Sequence, residues 1–245
     1  MAATIHDDSA AQRVLEVTSP NALSLWLLSY AHIPLRQLGA GKGTVGMLFL
    51  SVTTGTHVTG VERFPASADL ARRNIPMNGL QDRFSFIEGD LRDPALFKDL
   101  GSFDLVVGAP PFRSIHSGSM PRDEQRRTGR FELHGGVEDY LERASQCLTA
   151  SGHAAILMDG KQARRSLIAA ERAGLFPRKL LHISSIPGTD PVFAICIAGR
   201  VPGPLVHESW SMIATATLGD TSPSPSYLKV AARLDLPWKP SSVEE

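Results

Sequence analysis

The stretch "PLRQLGAGKGTVGMLFL", residues 34–50, joins a short apolar strand, a loop with three glycines and a helical pattern. Gly39, Gly41 and Gly43 allow a tight turn and let the backbone approach a ligand, and the first N–H groups of the following helix point in the same direction. Such loops also occur as ordinary strand-to-helix turns. The loop therefore becomes informative only together with the residues that follow it in the chain.

Outward from this loop, short apolar runs alternate with helical patterns, which is typical of a parallel α/β sheet. The predicted strands are 34–40, 57–63, 84–90, 103–110, 153–159, 180–186 and 191–199, and the predicted helices are 44–53, 65–79, 93–100, 135–150 and 161–175. Only "PGTD" (187–190) separates the last two strands, so we expect a hairpin and an antiparallel final strand. The predicted fold class is α/β, with a Rossmann-like seven-stranded sheet that is mostly parallel and carries a C-terminal antiparallel hairpin strand.

Composition limits the partners of the chain. Its 245 residues carry 25 basic and 25 acidic side chains, with an isoelectric point near 7.1. No global field therefore attracts nucleic acid or an anionic membrane, although a local patch suffices for RNA. The two cysteines, Cys147 and Cys196, lie far apart in apolar stretches, which predicts reduced thiols and no metal site. With no apolar window near 18 residues and no secretory signal, we expect a cytoplasmic protein without a membrane partner.

Two carboxylates follow the loop at the ends of the next two strands. Glu62 closes the second strand about twenty residues further on, where nucleotide-binding α/β folds use a carboxylate to accept hydrogen bonds from both ribose hydroxyls. Asp90, in "FIEGD", ends the third strand, where it can accept from an adenine amino group. Open α/β sheets bind ligands at the carboxyl ends of their strands, so these residues are expected to form one nucleotide site.

These residues resemble the class I S-adenosylmethionine-dependent methyltransferases, whose motifs run G-x-G-x-G, then an acid, then Asp. A dinucleotide dehydrogenase is disfavoured because its fingerprint requires glycine at position 44, which is Thr. The resemblance implies S-adenosylmethionine as the cofactor, held by Gln37, Gly39, Ala40, Gly41, Gly43, Glu62, Arg63, Asp90 and Leu91. Gln37 stands where the family commonly has an acid that helps to hold the methionine amino group; it can accept a hydrogen bond but carries no charge.

The fourth strand ends in "GAPPF", residues 108–112, although proline donates no ladder hydrogen bond. At this place the amino-group N-methyltransferases carry an [N/D]-P-P-[Y/F/W] motif, and Pro110, Pro111 and Phe112 match three of its four positions. The prolines stiffen the corner, so that the Pro110 carbonyl can accept from a substrate nitrogen. Phe112 offers a face on which a flat heteroaromatic ring can stack. The resemblance implies that these residues, with Ala109, form the catalytic platform.

Over residues 12–230 the chain resembles the bacterial tRNA-valine adenine-N6 methyltransferases. The resemblance implies an N-terminal cap over the cofactor at 1–33 and a class I methyltransferase domain at 34–200. It also implies a C-terminal extension at 201–245 that packs on the same domain and ends in a loose tail.

Ala109 departs from this family, which has Asn at the same position. The Asn oxygen accepts a hydrogen of the adenine amine and favours a pyramidal nitrogen, so its absence costs on the order of 2.7–4 kcal/mol of transition-state stabilisation. The chain is therefore a tRNA enzyme with a replaced acceptor, an inactive or engineered relative, or an enzyme for a different nitrogen. We favour N-methylation of a small heteroaromatic substrate, with an azapteridine of the toxoflavin type as one candidate. A tRNA adenine-N6 methyltransferase is the first alternative, and a non-catalytic S-adenosylmethionine-binding module is the second.

A long segment, 113–136, joins the proline corner to the next predicted helix and is expected to be a lid or a disordered loop. Its five arginines, Arg113, Arg122, Arg126, Arg127 and Arg130, are either phosphate contacts for RNA or the charges of a solvated lid. The predicted substrate-side residues are Phe112, His116, Glu132 and His134. The last three are the candidate bases, although methyl transfer to a nucleophilic ring nitrogen can proceed without one.

Overall fold

The computed structural model describes residues 35–51, 53, 54, 56–116, 120–214, 222–225 and 228. The strands are β1 Leu35–Leu38, β2 Val58–Glu62, β3 Phe84–Glu88, β4 Phe103–Gly108, β5 Leu148–Asp159, β6 Phe176–Ser184, β7 Phe193–Gly199 and β8 Val206–Ser211. The helices are α1 Thr44–Ser51, α2 Pro65–Met77, α3 Glu124–Arg130, α4 Val137–Cys147 and α5 Ala163–Arg172, with 3-10 turns at Pro94–Phe97 and Gly160–Gln162. The proposed cap, 1–33, and most of the predicted tail lie outside the described residues.

One sheet organises the described chain, in the strand order β3-β2-β1-β4-β5-β7-β6-β8. Strand β7 is inserted between β5 and β6 and runs antiparallel to both, while every other neighbouring pair is parallel. The predicted α/β class and the antiparallel hairpin strand are therefore confirmed. The chain order reverses between β1 and β4, which is the position where open α/β sheets form a ligand crevice.

The sheet has eight strands in the described residues, one more than the sequence predicts. The additional strand, β8, pairs in parallel with β6, and an ion pair of 2.7 Å joins Lys179 of β6 to Glu208 of β8. Its sequence, "VHESWS", mixes polar and apolar residues because an edge strand is largely exposed. A run of this kind lacks the continuous apolar signal of the buried strands.

Strand β4 shows how the two faces of the sheet are covered. Leu105 and Val107 belong to the apolar cluster under α1, whereas Val106 belongs to the cluster under α4 and α5. All three side chains have no solvent exposure, as expected for a central strand between two helical layers. The ends of β1 and β4 are thus held by packing on both faces.

Two helical predictions differ from the structure. The predicted helix at 93–100 is only a 3-10 turn, Pro94–Phe97, which Asp93 caps by accepting from the Ala95 N–H. Conversely, the predicted loop 113–136 contains α3, whose first turn is capped by Asp123 accepting from the Arg126 N–H at 2.6 Å. The charge-rich composition of α3 hides its helical pattern, since the helix has few apolar residues to bury.

A glycine in α1 is required by close packing and gives a direct test of the fold. A Cβ built on Gly46 would lie 2.7 Å from the Phe84 ring, whereas one on Gly129, in α3, meets nothing within 4 Å. We expect Gly46→Ala to lower the free energy of unfolding by about 1–3 kcal/mol through overpacking. The matched change Gly129→Ala should instead raise it by up to about 1 kcal/mol, because alanine favours helix. Urea unfolding followed by circular dichroism measures both, and a fully stable Gly46→Ala variant would contradict the packing described.

Candidate functional site

The glycine loop between β1 and α1 has an open shape that requires glycine. Gly39 and Gly41 have φ angles of 61° and 55°, in the left-handed region that favours glycine. The Ala40 N–H donates to the carbonyl of Val61 at 2.9 Å, which fastens the loop to β2. A Cβ built on Gly41 meets nothing within 4 Å, so this residue faces open space. The loop can therefore bring its backbone against a ligand.

Glu62 connects the loop to the end of β2. Its Oε2 accepts from the Gly41 N–H at 2.8 Å, and its Oε1 accepts from the Phe64 N–H at 2.7 Å. A carboxylate oxygen has two acceptor positions, so each oxygen keeps one for a ligand. The side chain thus has the capacity to accept two hydroxyl hydrogens while it holds the loop.

Asp90, after β3, is surrounded by arginine. Arg92 donates to both of its carboxylate oxygens, at 3.0 and 2.6 Å, and Arg63 Nε lies 3.3 Å from Oδ2. The hydrogen bonds from Arg92 are the main reason that the pKa of Asp90 falls to about 2, with a smaller contribution from Arg63. The carboxylate expected to accept from an adenine amine is therefore already occupied by two cations.

A cavity of about 320 Å³ runs along the carboxyl ends of β3, β2, β1 and β4. Its walls come from the glycine loop, the ends of these strands, α3 and the beginning of α4. The lining residues are Gly39, Gly41, Val61, Glu62, Arg63, Phe64, Ser67, Gly89, Asp90, Leu91, Ala109, Pro111, Thr128, Gly129, His134, Gly135 and Tyr140. We call this space the first cavity. Six of the nine predicted cofactor residues line it.

The other three predicted cofactor residues do not line the first cavity. Gln37 is buried and its Oε1 accepts from the Gly46 N–H of α1 at 3.0 Å. Ala40, which is part of the loop, is also buried, and its N–H attaches the loop to β2. Gly43 packs at the beginning of α1, near Phe84 and Met47. These three residues shape the loop. The Gln37 carboxamide does not reach the first cavity, where the sequence predicted a hydrogen bond from it to the cofactor.

The proline corner contributes residues to the first cavity and to a second one. Ala109 is exposed and lines the first cavity with Pro111, whereas Pro110 is buried and lines neither cavity. Phe112 faces the second cavity, and its carbonyl accepts from Gln162 Nε2 at 2.8 Å. The corner is therefore fixed between the first cavity and the beginning of α5.

The second cavity measures about 310 Å³ and is lined by Phe112, Arg113, Ser114, Glu132, Asp159, Gln162 and Arg165. Arg165 forms ion pairs with Glu132 at 2.5 Å and with Glu138 at 2.7 Å, and these interactions raise its pKa. Asp159, at the end of β5, uses Oδ1 to accept from the Lys161 N–H. The cavity thus combines an aromatic side chain with charged groups.

The predicted substrate-side histidines occupy different places. His134 lines the first cavity, and its pKa is lowered by burial and, to a smaller extent, by the nearby charges of Arg63 and Arg92. His116 is exposed, lines neither cavity, and donates its backbone N–H to Ser114 Oγ. Of the two, only His134 is placed to meet a ligand in the first cavity.

The segment after the corner is anchored to the body of the protein. Arg113 pairs with Phe131 in a parallel bridge. The backbone N–H of Arg113 donates to the carbonyl of Arg130, and the backbone N–H of Glu132 donates to the carbonyl of Arg113, both at 3.0 Å. The Phe131 side chain is 1% exposed. Helix α3, in the predicted lid segment 113–136, is therefore attached by backbone hydrogen bonds next to the first cavity.

Tyr140, Asp159 and Arg165 are among the residues lining the two cavities that the sequence did not predict as site residues. Tyr140 in α4 is one residue of an amphipathic helix, and nothing in the local pattern distinguishes it from a core aromatic. Asp159 is the last residue of the predicted fifth strand, 153–159, so its position at a strand end was an available signal. Arg165 belongs to a basic helix whose sequence indicates a solvated face.

No helix in the described ranges is long and apolar enough to cross a membrane. Within the same residues, no cluster of three or more His, Cys, Asp or Glu side chains is arranged to hold a metal ion.

Comparisons with known proteins agree on one class. A family model described as methyltransferase small domain matches residues 28–125. The tRNA1(Val) (adenine(37)-N6)-methyltransferase of Porphyromonas gingivalis is 28% identical over 156 residues, a match that covers 63% of this chain and 60% of that protein. The chain thus spans less than two thirds of the length of this relative.

Solved structures give the fold. A protein described as a predicted O-methyltransferase from Agrobacterium tumefaciens has a TM-score of 0.67 at 20% identity, covering 86% of this chain and 96% of that one. Geranyl diphosphate C-methyltransferase of Streptomyces coelicolor, solved with S-adenosyl-L-homocysteine, has a TM-score of 0.52 at 14% identity and covers 74% of this chain and 79% of its own. The chain has the class I methyltransferase fold.

S-adenosylmethionine is the cofactor that this fold and family match imply, and the first cavity fits its chemistry. The open face of Gly41 forms a cradle that a Cβ would fill, and Glu62 retains two acceptor positions for hydroxyls. Val61 and Leu91 supply apolar wall for a purine. The volume lies at the lower end of the range for small-molecule sites.

The role of Glu62 can be separated from that of its neighbour on β3. Glu62 and Glu88 are register partners, but Glu88 pairs with Arg72 outside the first cavity. We expect Glu62→Gln to raise the Kd for S-adenosylhomocysteine by about ten- to a hundredfold, because hydrogen bonds to a charged group contribute about 1.5–3 kcal/mol. Glu88→Gln should change the Kd by no more than about twofold. Calorimetric titration measures both, and equal affinities for the two variants would show that Glu62 does not hold the cofactor.

Proposed function

We propose that this protein is an S-adenosylmethionine-dependent N-methyltransferase that acts on a nitrogen of a small heteroaromatic molecule. The observation that carries the proposal is the exposed Ala109 at the wall of the first cavity, directly before Pro110 and Pro111. Its methyl group cannot accept a hydrogen bond at a position where amine methylation requires an acceptor. Of the other corner residues, Pro111 lines the first cavity and Phe112 lines the second, while Pro110 is buried and lines neither.

The residues of the first cavity would hold the cofactor. The backbone of Gly39 and Gly41 gives close approach, Glu62 accepts from hydroxyls, and Leu91 packs against a flat ring. When bound, the cofactor supplies an electrophilic methyl group on a sulfonium, which an acceptor nitrogen attacks with its lone pair while the carbon–sulfur bond breaks. The protein's contribution is to position the acceptor and to exclude water.

The absence of an acceptor at Ala109 favours a ring nitrogen. An exocyclic adenine amine delocalises its lone pair into the ring and needs acceptors for its two hydrogens as charge develops. A ring nitrogen keeps its lone pair in the ring plane or loses an acidic N–H proton, so it does not need this help. Positioning against the methyl group can then supply most of the rate enhancement.

The second cavity is the proposed binding place for the heterocycle. Phe112 offers a face for stacking, and Pro111, the residue before it, lines the first cavity. Its volume of about 310 Å³ suits a small molecule. Arg113 and Asp159 provide a cation and a carboxylate that can recognise the carbonyl and N–H groups of an azapteridine of the toxoflavin type.

A proton released from the acceptor can be taken up by His134 or Asp159. The lowered pKa of His134 keeps its imidazole neutral near pH 7, so one ring nitrogen is free to accept a proton. A carboxylate such as Asp159 is likewise an acceptor when ionised. Neither residue is required if the acceptor nitrogen is already deprotonated.

A tRNA adenine-N6 methyltransferase is the second candidate, and two observations favour it. The Porphyromonas gingivalis relative carries that name. In addition, α3 places the exposed Arg126 and Arg130 beside Thr128 and Gly129, which line the first cavity. Arginines at the mouth of a site are suited to phosphate contacts. In this case Asp159 or Glu132 would have to replace the missing acceptor.

Transfer of a labelled methyl group distinguishes these functions. We expect the protein to label one or more members of an azaheterocycle panel and to leave unmodified total tRNA at background. Labelling of tRNA alone would establish the second candidate instead. Binding of S-adenosylhomocysteine without transfer to either acceptor would indicate a non-catalytic module.

Ala109→Asn tests the acceptor argument. If an adenine-N6 site were otherwise intact, the restored amide oxygen would raise tRNA methylation by a factor of about a hundred or more, corresponding to about 2.7–4 kcal/mol. Our proposal predicts that tRNA methylation stays at background and that heterocycle methylation does not increase. Ala95→Asn, at an exposed position in the 3-10 turn Pro94–Phe97, is the matched control. A large gain with tRNA in the Ala109 variant only would overturn the proposal.

A further inference from the structure

Tyr140 occupies a space that two glycines leave open at the β1–β4 boundary. A Cβ built on Gly108 would lie 2.6 Å from Tyr140 Cδ1, and one built on Gly39 would collide with the phenol oxygen. Gly108 is the register partner of Leu38, the residue before Gly39. The ring therefore packs under the point where the chain order of the sheet reverses, with its hydroxyl beside the first residue of the glycine loop.

The Tyr140 hydroxyl is a polar group that α4 places at the wall of the first cavity. The residue is 7% exposed and lines the first cavity, and among the residues that the structure describes no group is hydrogen-bonded to its oxygen. Burial raises the pKa of the phenol, with smaller contributions from the negative charges of Glu62 and Asp90. The group therefore stays protonated and is a hydrogen-bond donor at neutral pH. Although the residue is largely buried, its oxygen is not one of the enclosed, unpaired polar atoms of the described residues, so it is accessible from the first cavity and can donate to a ligand there.

Gln37, whose expected contact was to the methionine amino group and not to the carboxylate, supplies no polar group to the first cavity. Its carboxamide oxygen is committed to the Gly46 N–H, and the side chain does not line the first cavity. The side chain that was expected to hold the amino-acid part of the cofactor is thus turned toward α1. Another polar group must stabilise that charged part of the molecule, because a charged group buried without partners is costly.

The order of residues along the first cavity indicates which part of the cofactor Tyr140 would meet. Asp90 and Leu91 follow β3, Glu62 ends β2, and Gly39 and Ala109 follow β1 and β4. If Glu62 accepts from the ribose, the purine lies toward β3 and the amino-acid chain lies toward β1 and β4. Tyr140 is at the latter end, next to the proline corner.

We propose that the Tyr140 hydroxyl donates a hydrogen bond to the amino-acid carboxylate of S-adenosylmethionine and thereby positions the methyl-bearing end of the cofactor at the proline corner. This inference rests on the cofactor assignment in the proposed function. Tyr140 is a positioning residue: it fixes the cofactor and takes no part in bond making.

Two ligands that differ only in the amino-acid chain test this assignment. S-adenosylhomocysteine contains the chain, whereas 5′-methylthioadenosine keeps the purine, ribose and sulfur without it. We expect Tyr140→Phe, which retains the ring, to raise the Kd for S-adenosylhomocysteine by about ten- to a hundredfold, as for a hydrogen bond to a charged group. The Kd for methylthioadenosine should change by no more than about twofold. Calorimetric titration measures all four affinities, with the melting temperature recorded for each protein.

A matched control and a second measurement keep the test decisive. Thr56→Val removes a buried hydroxyl that has no hydrogen-bond partner among the described residues and lies outside the first cavity, and it should leave both affinities unchanged. If Tyr140→Phe does not fold, the wild-type protein can be titrated with decarboxylated S-adenosylhomocysteine, which should bind about ten- to a hundredfold more weakly than the parent. Equal loss for both ligands in Tyr140→Phe, no loss for either, or equal binding of the decarboxylated analogue would overturn the inference. Failure of the wild-type protein to bind S-adenosylhomocysteine would instead refute the cofactor assignment itself.

Discussion

The first cavity depends on the hydrogen bonds that the carboxylate of Glu62 accepts. This carboxylate accepts from the Gly41 N–H of the loop and from the Phe64 N–H before α2, so one side chain ties two crossovers to the end of β2. The loop glycines could adopt many conformations, and these bonds select the one in which Gly41 faces open space. The same oxygens keep free acceptor positions, so the group that shapes the cavity also remains able to bind a ligand.

The sequence predicted the elements whose local residue pattern is compatible with a single secondary structure. Buried parallel strands need continuous apolar runs, and a four-residue connection requires a hairpin, so β1 to β7 and the direction of β7 could be foreseen. Strand β8 and helix α3 could not, since both are largely exposed and lack an apolar period. Tyr140 was hidden for a different reason: its importance comes from the missing side chains of Gly39 and Gly108, which are distant in sequence.

The site also shows where motif matching and geometry diverge. Gln37 and Asp90 occupy motif positions, yet one is turned to α1 and the other is bound by Arg92. A motif records which residue type stands at a place, whereas hydrogen-bond competition inside the fold determines where the side chain points. Ala109 differs from these two residues, because an alanine side chain has no polar atom in whichever direction it points. Whatever the placement of the neighbouring side chains, the Ala109 side chain offers no hydrogen-bond acceptor to an exocyclic amine.

The central claim is that the first cavity holds the methyl donor and presents it at the proline corner. A crystal structure of the protein grown with S-adenosylhomocysteine tests this most directly. We predict ribose hydroxyls bonded to Glu62 and the sulfur directed toward Ala109 and Pro111, with the second cavity beyond the corner left for the acceptor. Density for the nucleoside outside the first cavity, or a sulfur directed away from Ala109, would contradict the account.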